Sequence, residues 1–299
     1  MPQVPEVREL RCKTLLHTMR FGRTQLEYTA NLYRGCTHGC VYCYAPSLIH
    51  DDRRWGTFVD AKVNAPAVLR RELRDAKRAP VFLSSASDPY QPVEARYRLT
   101  RRCLEEFYSF KFPLVILTRS PLVLRDVDLL GRMDWVRVGC SISTGSGRFY
   151  EPGVPPLERR LETLRALAKA GIETWVSFAP IIPGVREEEI EHLLAKMREA
   201  GVRAVTAGLL RFQGYDVSRE NFERSTGMMA EEIPKTGQET MASVRAAISR
   251  LGFQPSERFF DWGGPPTTGS LDAYVMSAGP GCQVEEATSR SSLAPALLR

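Results

Sequence analysis

From about residue 80 onward, short β-branched apolar runs alternate with longer stretches whose apolar residues recur at helical spacing. This alternation constrains the fold more than any other feature. The runs PVFLSS (80–85), LVILT (114–118), WVRVGCSIS (135–143), IETWVSFAP (172–180) and VRAVTAG (202–208) read as strands, preceded by a less regular candidate around 27–33. Between them, the stretch 157–170 places Leu157, Leu161, Leu164 and Ala168 on one helical face before Gly171, and 190–200 behaves likewise before Gly201. Asn64 and Pro66 open a further predicted helix to about residue 78.

Strands separated by helices demand parallel pairing with crossovers. Six such units predict an α/β fold, a partial (β/α)6 barrel of the TIM type, with an open doubly wound sheet as the alternative. In either, the reactive site lies where the strands end and their loops begin. The predicted organisation is an N-terminal extension (1–24), the partial barrel (25–215), a C-terminal helical cover (216–262) and an extended, flexible tail (263–299) rich in Gly, Pro, Ser and Thr.

Composition narrows the class. With 299 residues, 43% hydrophobic and 25% charged, the chain suits a globular protein and excludes a mainly disordered one. It has no apolar run of about eighteen residues and no secretory leader pattern, which predicts a cytoplasmic protein without membrane association. Seven cysteines, an odd number, argue for metal binding, reactivity or burial over a disulfide framework. The net charge of +6 comes from 34 Arg and 7 Lys against 35 acidic residues. The rows Arg70, Arg74, Arg78 and Arg96, Arg98, Arg101, Arg102 read either as a phosphate track or as solvated helix faces.

The segment NLYRGCTHGCVYCYAP sets Cys36, Cys40 and Cys43 in a CxxxCxxC spacing just after the first strand candidate. Thiolates suit zinc, copper(I) or iron–sulfur clusters, and Gly35 and Gly39 let the loop turn so that the sulfurs converge. Three sulfurs leave a four-iron cube one ligand short, an open position of the kind that marks chemistry. The competing reading is a non-catalytic, nucleic-acid-binding protein stapled by zinc, with Cys12, His38 or His50 as fourth ligand. Zinc sites usually pair two separated CxxC knuckles, however, and no second pair exists. A cluster-bearing electron carrier is a third reading.

CxxxCxxC with Tyr42 before the last cysteine, at the end of the first strand of a six-unit β/α chain, resembles the radical S-adenosylmethionine (SAM) superfamily. The strings NLYRGCTHGCVYCYA and WGTFVDAKVNAP are similar to the branch containing spore photoproduct lyase and its relatives, over about residues 25–215. The resemblance implies a 4Fe-4S cluster on the three cysteines, SAM as cofactor, an electron donor such as ferredoxin or flavodoxin, and hydrogen abstraction from a substrate, with nucleic acid as one candidate. It further implies cofactor contacts at Tyr42, at Ser85, Ser87 and Asp88 (or a capped Asp88-Pro89 turn), and at Arg119, where the branch usually has lysine. Ser143 and the IIPG segment from Ile181 to Gly184 would complete them. Arg159 or Arg160 could reach a carboxylate. The lyase carries a hydrogen-donating cysteine after its second strand, whereas SSASDPY has none, which leaves Tyr90 and Tyr97 as candidate donors beside their reading as packing residues. Strand alternation makes Cys140 a structural thiol facing the helices.

Overall fold

The computed structural model describes residues 4–19, 26–144, 149–182, 185–212, 214–230, 237–254 and 285–286. Its main sheet has seven strands in the order β10-β9-β8-β7-β6-β3-β2. Six are parallel: β3 (Tyr28–Ala30), β6 (Val81–Leu83), β7 (Leu114–Thr118), β8 (Val136–Ile142), β9 (Glu173–Ile181) and β10 (Ala204–Leu209). These correspond to the six predicted runs. The short β2 (Leu16–Thr18) adds antiparallel to β3 at the edge. The architecture is mixed α/β with a parallel sheet.

A second sheet, in the order β11-β1-β5-β4, was not legible in the sequence. It joins β1 (Glu6–Arg11) and β5 (Phe58–Lys62) in parallel, with β4 (Tyr33–Arg34) antiparallel to β5 and β11 (Glu285–Glu286) antiparallel to β1. The strand expected over 27–33 is therefore broken between two sheets. β1 escaped notice because its pattern is polar: Glu6, Val7, Arg8, Glu9 and Arg11 are all exposed and only Leu10 is buried.

Side chains alternate across the main sheet as a period of two requires. On the helix side, Val81, Leu83, Leu114, Ile116 and Val138 pack with α2 (Ala65–Asp75) and α4 (Leu99–Ser109), which carry buried Leu69, Leu73, Leu104 and Phe107. Cys140, Ile142, Val176 and Phe178 meet α6 (Leu157–Lys169), α7 (Glu187–Glu199) and α9 (Gly237–Arg250). The opposite face forms its own cluster of Phe82, Val115, Trp175 and Ala204. That face turns polar toward the strand C-termini, where Thr29, Ser141 and Ser177 are buried.

The connection after β7 is not a long helix but a 3-10 turn (Pro121–Asp126), begun by Ser120, whose side chain accepts from Leu122 N, and the one-turn α5 (Val127–Leu130). The loosely patterned segment beyond 210 contains α8 (Asp216–Thr226), of which only Ser218 and Phe222 are buried. The remaining short helices are α1 (Ala45–Ile49) and α3 (Glu94–Tyr97). Among the described residues, no helix is long and apolar enough to cross a membrane.

Candidate active site

Because six strands run parallel, their C-terminal ends share one edge, and the loops after β3, β6, β7, β8 and β9 meet there. The cysteine loop follows β4. Gly35 and Gly39 adopt φ of +82° and +58°, as the turn demands. Cys36 and Cys40 are buried and Cys43 is half-buried.

The loop is clamped on all sides. Gln91, fully buried, donates to Gly35 O (3.2 Å) and accepts from Thr37 N (3.1 Å). The segment after β8 pairs with it through Val41 N to Tyr150 O and Gly153 N to His38 O, both 3.0 Å. A Cβ on Gly153 would lie 2.3 Å from Thr37 O, so only glycine permits that approach. From α8, Asn221 Nδ2 donates to Val41 O (3.1 Å), and Phe222 packs with Cys40, Tyr42, Ile182, Leu210 and Phe212. Ser47 of α1 accepts from Ser218 N (3.0 Å), capping α8 from outside the helix.

Beside the cysteines lies a buried polar network. Tyr42 donates to Glu151 Oε1, which also accepts from Ser143 Oγ (3.2 Å). Glu151 Oε2 pairs with Arg160 Nη2 at 2.9 Å, both side chains only 2% exposed, and Arg160 Nη1 donates to Ser141 O (3.0 Å). Arg119 sends Nη2 to Ser141 Oγ (2.8 Å), while its Nε, buried and without a hydrogen-bond acceptor, stands 3.7 Å from Glu151 Oε1. Burial opposes the Arg119 charge, but nearby Cys40, Tyr42, Glu151 and Asp88 hold it firmly protonated. Burial raises the Tyr42 phenol well above its usual range and pushes the Cys40 thiol up and that of Cys43 to about 12.

These features fit a cluster and a zwitterionic ligand. Metal binding displaces protons from buried thiols, and soft sulfur donors match iron. The Arg119 Nε, which has no hydrogen-bond acceptor, suits a carboxylate. Among the described residues, no three His, Cys, Asp or Glu side chains converge as a single metal ion requires. Of the zinc candidates, Cys12 packs in the core against α2 and α4 and His50 ends α1, so neither joins the loop, whereas His38 lies buried within it.

Other predicted residues fall variously. Ser85 Oγ accepts from Thr29 Oγ1 (3.0 Å) and Asn31 Nδ2 (3.2 Å), and Ser87 Oγ donates to Tyr33 O (3.3 Å). Asp88 takes up the capped turn: it accepts from Tyr90 N (2.8 Å), Thr118 Oγ1 (2.6 Å) and Arg119 N (2.7 Å). Ile181 packs into the helix-side core while Ile182 meets Tyr42, and Gly184 lies outside the described residues. Tyr90 is fully buried in the core on the helix side, and Tyr97 donates to Glu9 (3.0 Å), so neither joins the cysteines. Cys140 faces the helices as expected. Arg159 is exposed and pairs with Glu162, whereas Arg160 is the buried partner of Glu151. In the basic rows, Arg70 pairs with Glu106, Arg101 with Glu105 and Asp128, and Arg96 lies over the Tyr97 ring.

Three clamped cysteines in the connection after β3 and β4, beside an Arg119 whose Nε has no hydrogen-bond acceptor, define an α/β protein with a thiol-rich site at the ends of its parallel strands. Residues 30–208 match the family model of the radical SAM superfamily, and the chain belongs to that superfamily. An uncharacterised protein of Mycobacterium tuberculosis is 34% identical over 222 residues, covering 69% of this chain and 65% of that protein. The radical SAM Nalpha-GlyT isomerase of Pseudomonas phage M6 is 29% identical over 225 residues, 74% of this chain and 46% of that protein. The chain thus spans less than two thirds of the length of these relatives. Spore photoproduct lyase complexed with dinucleoside spore photoproduct shares the fold, with a TM-score of 0.65 at 16% identity, covering 83% of this chain and 81% of that one.

Proposed function

We propose that the chain is a radical SAM enzyme in which Cys36, Cys40 and Cys43 hold a 4Fe-4S cluster and SAM completes its coordination. When bound, that pair supplies reductive cleavage of SAM to a 5'-deoxyadenosyl radical able to take hydrogen from a substrate. A ferredoxin or flavodoxin is the proposed reductant. The observation that carries this reading is one loop with three cysteines, two of them buried, set at the strand ends of a superfamily member beside Arg119, whose Nε has no hydrogen-bond acceptor.

The chain's own residues do the positioning. Glu151 holds the Tyr42 hydroxyl, fixing the ring between two cluster ligands. Arg119 offers Nε to the SAM carboxylate, and Ser141 and Asp88 hold its side chain and backbone in place. Asp88 acts there as an anchor, because its oxygens already accept from three groups. Ser143 and Ile182 lie beside Glu151 and Tyr42, and Ile182, Leu210, Phe212 and Phe222 keep water from Cys40 and Tyr42. Tyr90 and Tyr97 are assigned to packing. With Arg70, Arg96, Arg101 and Arg102 of the two basic rows engaged, nucleic acid remains a substrate candidate on the strength of the likeness to the lyase alone.

Anaerobically reconstituted protein, reduced with dithionite and given SAM, should release 5'-deoxyadenosine detectable by mass spectrometry, and Cys40→Ala protein should release none. Equal release from both, or none from iron-loaded wild type, would refute the proposal.

A further inference from the structure

A single buried side chain from another part of the chain brackets Cys36. Gln91, 0% exposed, donates from Nε2 to Gly35 O (3.2 Å) and accepts at Oε1 from Thr37 N (3.1 Å), so its amide holds the peptide group on either side of the cysteine. An amide carries a donor and an acceptor on one planar end, which neither a carboxylate nor a thioether does. The carbonyl of Cys36 itself accepts from Gly39 N (3.4 Å). Gly35, at φ +82°, packs so closely against Phe58 that a Cβ would lie 2.5 Å from Phe58 O. With these backbone groups engaged, the direction in which the Cys36 side chain leaves the chain is fixed. Gln91 also closes a turn that begins at Asp88: its N donates to Asp88 O (3.3 Å), and Asp88 Oδ1 accepts from Tyr90 N (2.8 Å). The Asp88 carboxylate accepts in addition from Arg119 N at 2.7 Å. One short turn therefore grips the loop of Cys36 with its last residue and the backbone of Arg119 with its first.

We infer that Gln91 is a positioning residue: through Gly35 O and Thr37 N it presets the Cys36 sulfur, and through the turn it shares with Asp88 it keeps that sulfur aligned with Arg119. The inference deepens the cluster-bearing reading and rests on it for the role of Cys36 as an iron ligand. Groups that orient a metal ligand from behind change metal affinity by about 10–100-fold when removed. A side chain without polar atoms at position 91 would leave Gly35 O and Thr37 N without their partner and free the peptide groups on both sides of the ligand.

Gln91→Met keeps the length of the side chain and removes both hydrogen bonds. In metal-free protein, iodoacetamide labelling followed by peptide mass spectrometry reads each cysteine separately and needs no cluster. Cys36 labelling is expected to quicken about tenfold in Gln91→Met, because two anchoring bonds no longer oppose local opening. Cys140, buried among the helices, should keep its wild-type rate. Equal acceleration at Cys36 and Cys140 would mean a general loosening of the fold and would overturn the inference, as would an unchanged Cys36 rate. After reconstitution, the variant should release iron to a chelator about 10–100-fold faster than wild type. Its reduced-cluster electron paramagnetic resonance (EPR) signal should broaden as Cys36 takes up more than one arrangement, and a wild-type release rate with a wild-type signal would equally overturn the inference. Should Gln91→Met not fold, the wild type decides: hydrogen exchange at the Thr37 amide, which donates to Gln91, should be slowed at least about tenfold relative to an exposed amide, and unprotected exchange would contradict the anchoring. Failure of the wild type to form any cluster, with the labelling result as expected, would instead refute the reading of Cys36 as an iron ligand.

Discussion

Tyr42 and Glu151, 109 residues apart in the chain, share a buried hydrogen bond that ties the aromatic residue of the cysteine motif to the segment following β8. Glu151 is also the counter-ion of Arg160, with both side chains 2% exposed. Removing one partner of a buried ion pair costs about 3–5 kcal/mol, because the other is left uncompensated. Glu151→Gln should therefore lower the urea midpoint strongly. Arg159→Ala, one residue from Arg160 but in an exposed pair with Glu162, should cost about 0–1 kcal/mol. Equal effects in the two variants would show that the Glu151 pair is not formed.

Cys40 and Cys140 are both buried, and only the first belongs to the cysteine loop. Cys40→Ala should lose bound iron and its broad visible absorbance after reconstitution, while Cys140→Ala should keep both. Iron loss in Cys140→Ala protein that remains folded by circular dichroism would contradict the strand-face assignment.

Gly153→Ala should disturb the cysteine loop directly, since the new Cβ would lie 2.3 Å from Thr37 O and 3.0 Å from His38 Cα, both backbone atoms. Overpacking of this kind costs about 1–3 kcal/mol. The readout is iron retained per chain after gel filtration, expected to fall well below wild type. Full retention would mean that the loop has slack the contacts do not show.

The six parallel strands were legible because they are short, apolar and punctuated by helical runs, and Gly171 and Gly201 marked the ends of α6 and α7. The second sheet was not, because β1 is exposed at five of its six positions and β4 is only two residues long. The cysteine loop was legible from spacing, and Arg119 was singled out only through the resemblance to the family. Glu151, Gln91 and Asn221 were not: each reaches the loop through a contact 54 or more residues away in sequence, and nothing in the local pattern of a lone Glu, Gln or Asn signals such a partner. Arg159 and Arg160 show the same limit, since adjacent identical residues receive opposite environments from the phase of α6.

The Arg53 guanidinium, hydrogen-bonded to Asp51, holds that carboxyl down to about 2 from an ordinary 3.8. A depressed carboxylate contributes stability that is complete above its unfolded value and lost as pH falls through the folded one. The unfolding midpoint should thus decline between about pH 4 and pH 2, and Asp51→Asn should be less stable than wild type at pH 6 with a flatter decline over that window. Parallel pH profiles for the two proteins would rule out the linkage.

The central claim is that three cysteines bind a cluster with one iron left for a small molecule. The most direct measurement is EPR of the anaerobically reconstituted, dithionite-reduced protein with and without SAM. A reduced-cluster signal whose shape changes on adding SAM is expected, and is lost in Cys36→Ala. A signal indifferent to SAM, or a colourless protein carrying stoichiometric zinc, would contradict the account.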